Sequence, residues 1–256
     1  MDAPLLLLLG TFGLMVGSFL NVCIGRIPAG ESIVSPGSHC PKCGTPIAWF
    51  DNIPVLSYLV LGGRCRKCHT RISLRYPIVE IVTGVAFVLQ GLVIGDNLPL
   101  LAVRLVFTAL LIALFGTDLE TMRLPDVMTL PGLAFGLIAS LWLPPGILSA
   151  LIGAALGAAI PYGIRWLWFR STGVEAMGLG DVKMLAMVGA FLGWPQVLVV
   201  LFLASVAGAA IGLTLAALHG RTLASKLPFG TFLALGAYAA SLWGEKLVRW
   251  YTELYR

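Results

Sequence analysis

Charge is scarce in this chain: 12 acidic and 17 basic side chains in 256 residues. Charged residues make up 11% of the total, against about 25% in soluble domains. That shortage excludes an ordinary water-soluble globule. Histidine is scarcer still, present only as His39, His69 and His219. No Gly-x-Ser-x-Gly elbow and no His-Glu-x-x-His occur, so Ser-His-Asp hydrolysis and zinc-protease chemistry lack their parts. No Gly-x-Gly-x-x-Gly follows a strand, which leaves no ordinary nucleotide-binding fold. Internal repeats with a period of about 20–50 residues are absent, and so is a low-complexity linker. The net charge of +5 bears on membrane topology, and no nucleic-acid partner is expected.

Apolar sequence is abundant. Hydrophobic residues make up 58% and the mean hydropathy is +0.93. A membrane-crossing helix needs about 20 apolar residues. Such runs cover 5–24, 76–94, 98–116, 127–143, 147–168, 182–193, 195–218 and 227–244. The sixth is short and ends at Gly193-Trp194-Pro195, a turn signal, so the chain has eight spans, or seven without it. Gly10, Gly13 and Gly17 lie close together on the first run and permit tight helix packing. The expectation is an all-α polytopic membrane protein of about eight transmembrane helices with one small polar domain. Its parts are a first transmembrane helix at 1–24, a cytosolic domain at 25–75 and a helical membrane core at 76–256.

Lysine and arginine set the orientation. With the N-terminus outside, the inner segments hold Arg26, Lys42, Arg64, Arg66, Lys67, Arg71, Arg75, Arg123, Arg165, Arg170, Lys183, Arg221 and Lys226. The outer side keeps only Lys246, Arg249 and Arg256, and Arg104 falls inside the third run. The polar domain then faces the cytosol.

That polar domain carries Cys40-Pro41-Lys42-Cys43 and Cys65-Arg66-Lys67-Cys68. Two Cys-x-x-Cys knuckles match a structural zinc site bound by Cys40, Cys43, Cys65 and Cys68. The competing reading is two disulfides or free thiols, which a reducing cytosol argues against on the disulfide side. A segment this small also needs a staple to stay folded. A closed four-cysteine site leaves no open position for substrate, so the metal is not the catalyst. His39 and His69 flank the knuckles as surface or supporting residues. Cys23 stands alone near the end of the first run, as a small core residue.

Chemistry points elsewhere, to Asp118 in Thr117-Asp118-Leu119-Glu120 and Asp181 in Gly178-Leu179-Gly180-Asp181. Each stands where an apolar run meets polar residues, a costly place for a carboxylate and therefore a functional candidate. The bland alternative is that each caps a helix or reaches to the membrane surface. The positive-inside assignment puts both on the cytosolic side, so they can pair. Two carboxylates sharing one proton need only a water to hydrolyse an amide. Gly178 and Gly180 let backbone come close ahead of Asp181, and a peptide could lie along such a strand-like turn. Asp126, after Leu124-Pro125, reads as a helix-start residue, and Glu120 falls on another helix face from Asp118. Glu80, inside the second run, needs a partner or lines a polar pocket.

Taken in order, these stretches resemble the type IV prepilin leader peptidases, bifunctional enzymes of the bacterial inner membrane and members of the wider Gly-x-Gly-Asp intramembrane aspartyl proteases. The resemblance runs through Gly17-Ser18-Phe19-Leu20-Asn21-Val22, Arg26-Ile27-Pro28, Cys40-Pro41-Lys42-Cys43 and Asn52-Ile53-Pro54-Val55-Leu56-Ser57-Tyr58. It continues through Gly63-Arg64-Cys65-Arg66-Lys67-Cys68, Ile72-Ser73, Arg75-Tyr76-Pro77 with Glu80, and the two aspartate stretches. It implies catalytic roles for Asp118 and Asp181. It also implies cleavage of the basic leader of type IV prepilins, or of type II secretion pseudopilins, after a glycine. N-methylation of the new N-terminus with S-adenosylmethionine is implied as well, with Asn21, Arg26 and Glu80 as candidates to hold the cofactor. The implied setting is the bilayer of the inner membrane, with the active site and zinc domain on the cytosolic side. Two readings compete: a presenilin-like protease with other substrates, and a non-catalytic scaffold or transporter with ion-path aspartates.

Overall fold

The computed structural model describes residues 1–175, 177–219 and 227–254. Arg221, Lys226 and Arg256, used above to orient the chain, lie outside the described residues. Each of the eight apolar runs forms a helix: α1 (Ala3–Arg26), α3 (Arg75–Ile94), α4 (Leu98–Thr121), α5 (Asp126–Ala139), α6 (Ile147–Thr172), α7 (Leu179–Leu192), α8 (Trp194–His219) and α9 (Phe229–Glu253). A short α2 (Leu56–Val60) lies in the polar segment. Backbone amides have no other partners in hydrocarbon, which is why a chain this apolar becomes helical throughout.

Five of these helices, α1, α3, α4, α6 and α8, are long and apolar enough to cross a membrane. α5 and α7 have 14 residues each, so at 1.5 Å per residue they rise about 21 Å, short of a hydrocarbon core of about 30 Å. α9 has 25 residues, but Glu245, Lys246 and Arg249 charge its last turns.

The chain divides into two compact units, Met1–Ala113 and Leu114–Arg256. In the first, α1 packs on α3 through glycine. A Cβ on Gly13 would lie 2.7 Å from Gly84 Cα, and one on Gly17 would lie 2.7 Å from Glu80 Cα. Without side chains at the crossing the backbones approach closely, the usual device where lipid is as apolar as leucine.

In the second unit α7 is the central element. It is buried from Asp181 to Leu192 except at Lys183. Its sequence is apolar all round, the pattern of a helix enclosed by others. α5, α6, α8 and α9 all pack against it. The α6 crossing is the closest: a Cβ on Gly189 would fall 2.2 Å from the Gly153 carbonyl carbon, and one on Gly157 would fall 2.4 Å from the Leu185 carbonyl oxygen. Against α5, the Ser140 hydroxyl donates to the Ala190 carbonyl at 3.0 Å. Backbone that close cannot yield to a methyl group. Gly189→Ala should therefore cost about 3 kcal/mol, the top of the usual overpacking range. Gly163→Ala, on a glycine with no heavy atom within 4 Å of the added Cβ, is the control. Thermal unfolding in detergent measures both, and equal melting temperatures would refute the packing account.

Candidate active site

Asp118 lies inside α4, which runs past the apolar stretch to Thr121. It is buried, while Glu120, two residues on, is exposed. The Thr231 amide donates to Asp118 Oδ2 at 2.8 Å, and the Gly230 backbone lies beside the same oxygen. Both residues belong to the first turn of α9, which follows Pro228. First-turn N–H groups lack the i−4 partner of an interior turn, the Thr231 amide having only a 3.3 Å contact with the Pro228 carbonyl, and the helix dipole places positive potential there. A Cβ on Gly230 would come 2.9 Å from Asp118 Oδ2 and 2.9 Å from Leu124 Cδ1.

Asp181 sits in the first turn of α7 and is also buried. The expected strand-like turn is absent. Gly178 is extended, and Leu179 already begins the helix. The Gly178 amide donates to Asp181 Oδ2 at 3.2 Å, so this carboxylate caps its own helix from within. A Cβ on Gly180 would fall 2.8 Å from Leu124 Cβ. Leu124 thus fills the space beside both Gly180 and Gly230. The charge of Asp118 is felt at Asp181. Two carboxyl groups buried within electrostatic reach of each other, at the ends of different helices, can share a proton and polarise one water.

Asp126 opens α5, as its sequence context implied, but its carboxylate does not cap the helix. Both of its oxygens accept from Lys183 Nζ at 2.7 Å, so the lysine beside Asp181 serves α5. The segment before Gly178 is tied down by Arg165, which donates to the Met177 carbonyl at 2.7 Å and pairs with Glu175.

In the first unit the four knuckle sulfurs, Cys40, Cys43, Cys65 and Cys68, all lie within 4.8 Å of one another, and none is in a disulfide. Cys40 and Cys68 Sγ are 3.7 Å apart. Tetrahedral zinc with Zn–S bonds of about 2.3 Å needs sulfurs about 3.8 Å apart. The donor set therefore fits such an ion. The two knuckles repeat one backbone pattern. Cys40 and Cys65 amides donate to the Thr45 and Thr70 carbonyls, each at 2.9 Å, and the Gly44 and His69 amides return to the two cysteine carbonyls. Gly44 and His69 occupy the same left-handed position, with φ of 67° and 54°. That geometry explains a glycine in one knuckle and gives His69 a backbone role in the other. Hydrogen bonding with the Thr45 hydroxyl, followed by its backbone, holds the Cys43 thiol down to about 6, in the range where a thiolate is ready for metal.

The remaining candidates lie in the same unit. Arg26 donates to the carbonyls of Ser32, Pro36 and Gly37, so it staples the loop after α1. Asn21 Nδ2 donates to the Tyr76 carbonyl at 3.0 Å, while its Oδ1 is buried with no hydrogen-bond partner among the described residues. Glu80 Oε2 accepts from the Val55 amide at 2.7 Å. Val55 has φ 61° and ψ −49°, a strained turn for a β-branched residue.

Residues 11–94 match the family model described as the bacterial Peptidase A24 N-terminal domain, and residues 105–213 match that of the type IV leader peptidase family. A protein of Aeromonas salmonicida named prepilin leader peptidase/N-methyltransferase is 39% identical over 269 residues, covering 94% of this chain and 91% of its own. One of the same name from Pseudomonas putida is 37% identical, covering 92% and 89%. Another from Myxococcus xanthus is 43% identical over 82% of this chain and 62% of its own. No solved structure matches. With both family models in chain order and relatives this similar over nearly its whole length, the chain belongs to the type IV leader peptidase family.

Proposed function

We propose that this chain is a prepilin leader peptidase and N-methyltransferase, with Asp118 and Asp181 as its hydrolytic pair. The carrying observation is the pair itself: two buried carboxyl groups on α4 and α7 within electrostatic reach, one bound by an amide of α9. One aspartate takes a proton from water as the water oxygen bonds to the scissile carbonyl carbon. The other gives its proton to the carbonyl oxygen. On collapse the C–N bond breaks, the first aspartate returns its proton to the leaving nitrogen, and the second regains its own from the diol. Both end as they began, and one water is consumed. Substrates are type IV prepilins, the class in the relatives' names, or the pseudopilins of type II secretion that the sequence resemblance adds. That naming disfavours a presenilin-like protease with other substrates and a scaffold or transporter.

For the second activity S-adenosylmethionine supplies a methyl group. Asn21 and Glu80 suit the binding of an ammonium, whether the cofactor's or the new N-terminal amine. Asn21 offers a buried acceptor without a partner, and Glu80 a buried carboxylate bonded to a backbone amide. Arg26 suits this role less, since its guanidinium is spent on loop carbonyls. Zinc is the metal assigned to Cys40, Cys43, Cys65 and Cys68, as a structural ion. The setting is the bacterial inner membrane with the N-terminus outside and the zinc domain and active site at the cytosolic face, from the lysine and arginine distribution. Reporter fusions placing residue 50 outside would refute that orientation.

Purified protein incubated with a full-length prepilin should release the leader without S-adenosylmethionine, and should methylate the product only when it is added. An intact prepilin after incubation would overturn the peptidase reading. Unaltered methylation of a pre-cleaved pilin by Glu80→Gln would remove Glu80 from the second site.

A further inference from the structure

We infer that the amino end of α9 is a positioning element that keeps Asp118 ionised, so that Asp118 takes the proton from water and Asp181 donates one to the carbonyl oxygen. This rests on the two-aspartate reading, which by itself leaves the roles open.

The two carboxyl groups are held differently. Asp118 accepts from the Thr231 amide at 2.8 Å, with the Gly230 backbone beside the same oxygen. That donor lies in the first turn of a helix 25 residues long, whose dipole favours an anion there. Pro228, the residue before that helix, offers no side-chain cap, so the carboxylate that satisfies the turn comes from α4, 113 residues earlier in the chain. Asp181 has one amide donor, Gly178 at the longer distance of 3.2 Å. It is the less well solvated anion of the two, and the charge of Asp118 acts on it. Environments that treat two neighbouring carboxyls unequally divide the acid and base roles between them.

Gly230 belongs to the same device. A side chain there would meet Asp118 Oδ2 at 2.9 Å and crowd the carboxylate away from the Thr231 amide. Among the described residues, the other charged groups leave this arrangement intact. α9 carries none before Glu245. α7 brings Asp181 and Lys183, and Lys183 is held by Asp126 at the start of α5. α4 adds exposed Glu120 and buried Arg104, 14 residues before Asp118, and the loop after it adds Arg123.

The test is aimed at the Thr231 N–H, whose bond to Asp118 at 2.8 Å is shorter than its 3.3 Å contact with the Pro228 carbonyl. An ester in place of the Gly230–Thr231 peptide bond, made by incorporating the α-hydroxy analogue of threonine, deletes the Thr231 donor. The acid limb of the pH profile of kcat/KM for prepilin cleavage should move up by about one pH unit, because an anion that loses a charge-assisted hydrogen bond holds its proton more tightly. The alkaline limb should stay. Gly230→Ala, which pushes the carboxylate off the same amide, should move the same limb in the same direction. An unmoved acid limb with a lowered plateau would make α9 a merely structural neighbour. A shift of the alkaline limb alone would exchange the two roles. Asp118→Asn, run beside these, separates the two levels: its inactivity leaves the outcome to the assignment of roles, and its activity would remove the two-aspartate reading.

Discussion

Asparagine at Asp118 should lower kcat/KM for prepilin cleavage by a factor on the order of 10⁴, asparagine at Asp181 should do the same, and the double variant should be little worse than either. The near-equality follows from the shared proton. An amide cannot ionise to take a proton from water, nor can it give one to a carbonyl oxygen. Losing either member therefore disables both halves of the proton transfer, and the second loss finds little left to remove. Were the two aspartates ion-path residues of a transporter, asparagine at Asp118 would leave prepilin processing intact. Methylation of a pre-cleaved pilin should survive in both variants, since transfer to an amine needs neither carboxylate. Asp126→Asn is the natural contrast. It weakens a half-exposed pair with Lys183, whose side chains are 56% and 35% exposed, so it should lower cleavage by no more than about fivefold. Loss of cleavage in Asp126→Asn with retention in Asp118→Asn would show that the wrong carboxylate was assigned.

The helices were legible because hydropathy reports directly on what leaves water. Five of the eight runs stand within the helices that formed; 127–143 outlasts α5, which stops at Ala139, 182–193 passes the end of α7 by one residue, and 227–244 starts two residues before α9. Polar ends were less legible. Thr117 to Thr121 continue α4 because the backbone hydrogen bonds of a helix do not stop where its hydrophobicity does. That extension puts Asp118 on a rigid helix instead of in a loop. The short sixth run drew attention by its length alone. Its burial as α7 depends on four other helices, and no local pattern displays them.

Pairings were the least legible part. Lys183 stands two residues from Asp181, yet it bonds Asp126, 57 residues away. Pro228-Phe229-Gly230 can be read as a helix opening, since proline and glycine both suit that place, but not as the donor to a carboxylate on another helix. Val55 shows the same limit. A valine at φ 61° contradicts its own preference, and it is Glu80, far along the chain, whose oxygen accepts the amide of that turn. The knuckles were legible because their information is local. Each four-residue motif and the residues just after it contain a whole turn, down to the left-handed position held by Gly44 and His69.

Removing the metal should unfold the polar segment and leave the membrane helices folded. From Ile27 to Leu74 only Cys40, Ser57 and Gly63 are buried, while Val34 and Trp49 are more than four-fifths exposed. No apolar core exists there to offset the entropy of ordering the backbone, about 1–2 kcal/mol per residue. The bonds that tie it are the knuckle turns and other short-range backbone bonds, Arg26 on the loop carbonyls, the Val55 amide on Glu80, the Ser57 hydroxyl on the Phe50 carbonyl, and the Arg66 fork, which holds the Asp51 carboxyl below its usual range. Structural zinc on four thiolates contributes an apparent 10–16 kcal/mol at about neutral pH, enough to decide whether such a segment folds. Strong chelation, or Cys43→Ser with Cys65→Ser, should therefore abolish metal content of about one zinc per chain and open residues 27–74 to protease, with the helical circular dichroism largely kept. Cleavage of prepilin should fall far less than in Asp118→Asn, because a site closed by four sulfurs has no position for water or substrate. Protease resistance unchanged by metal loss would show that something other than the ion holds the segment, and a protein isolated with two disulfides in place of the four thiolates would rule the metal site out.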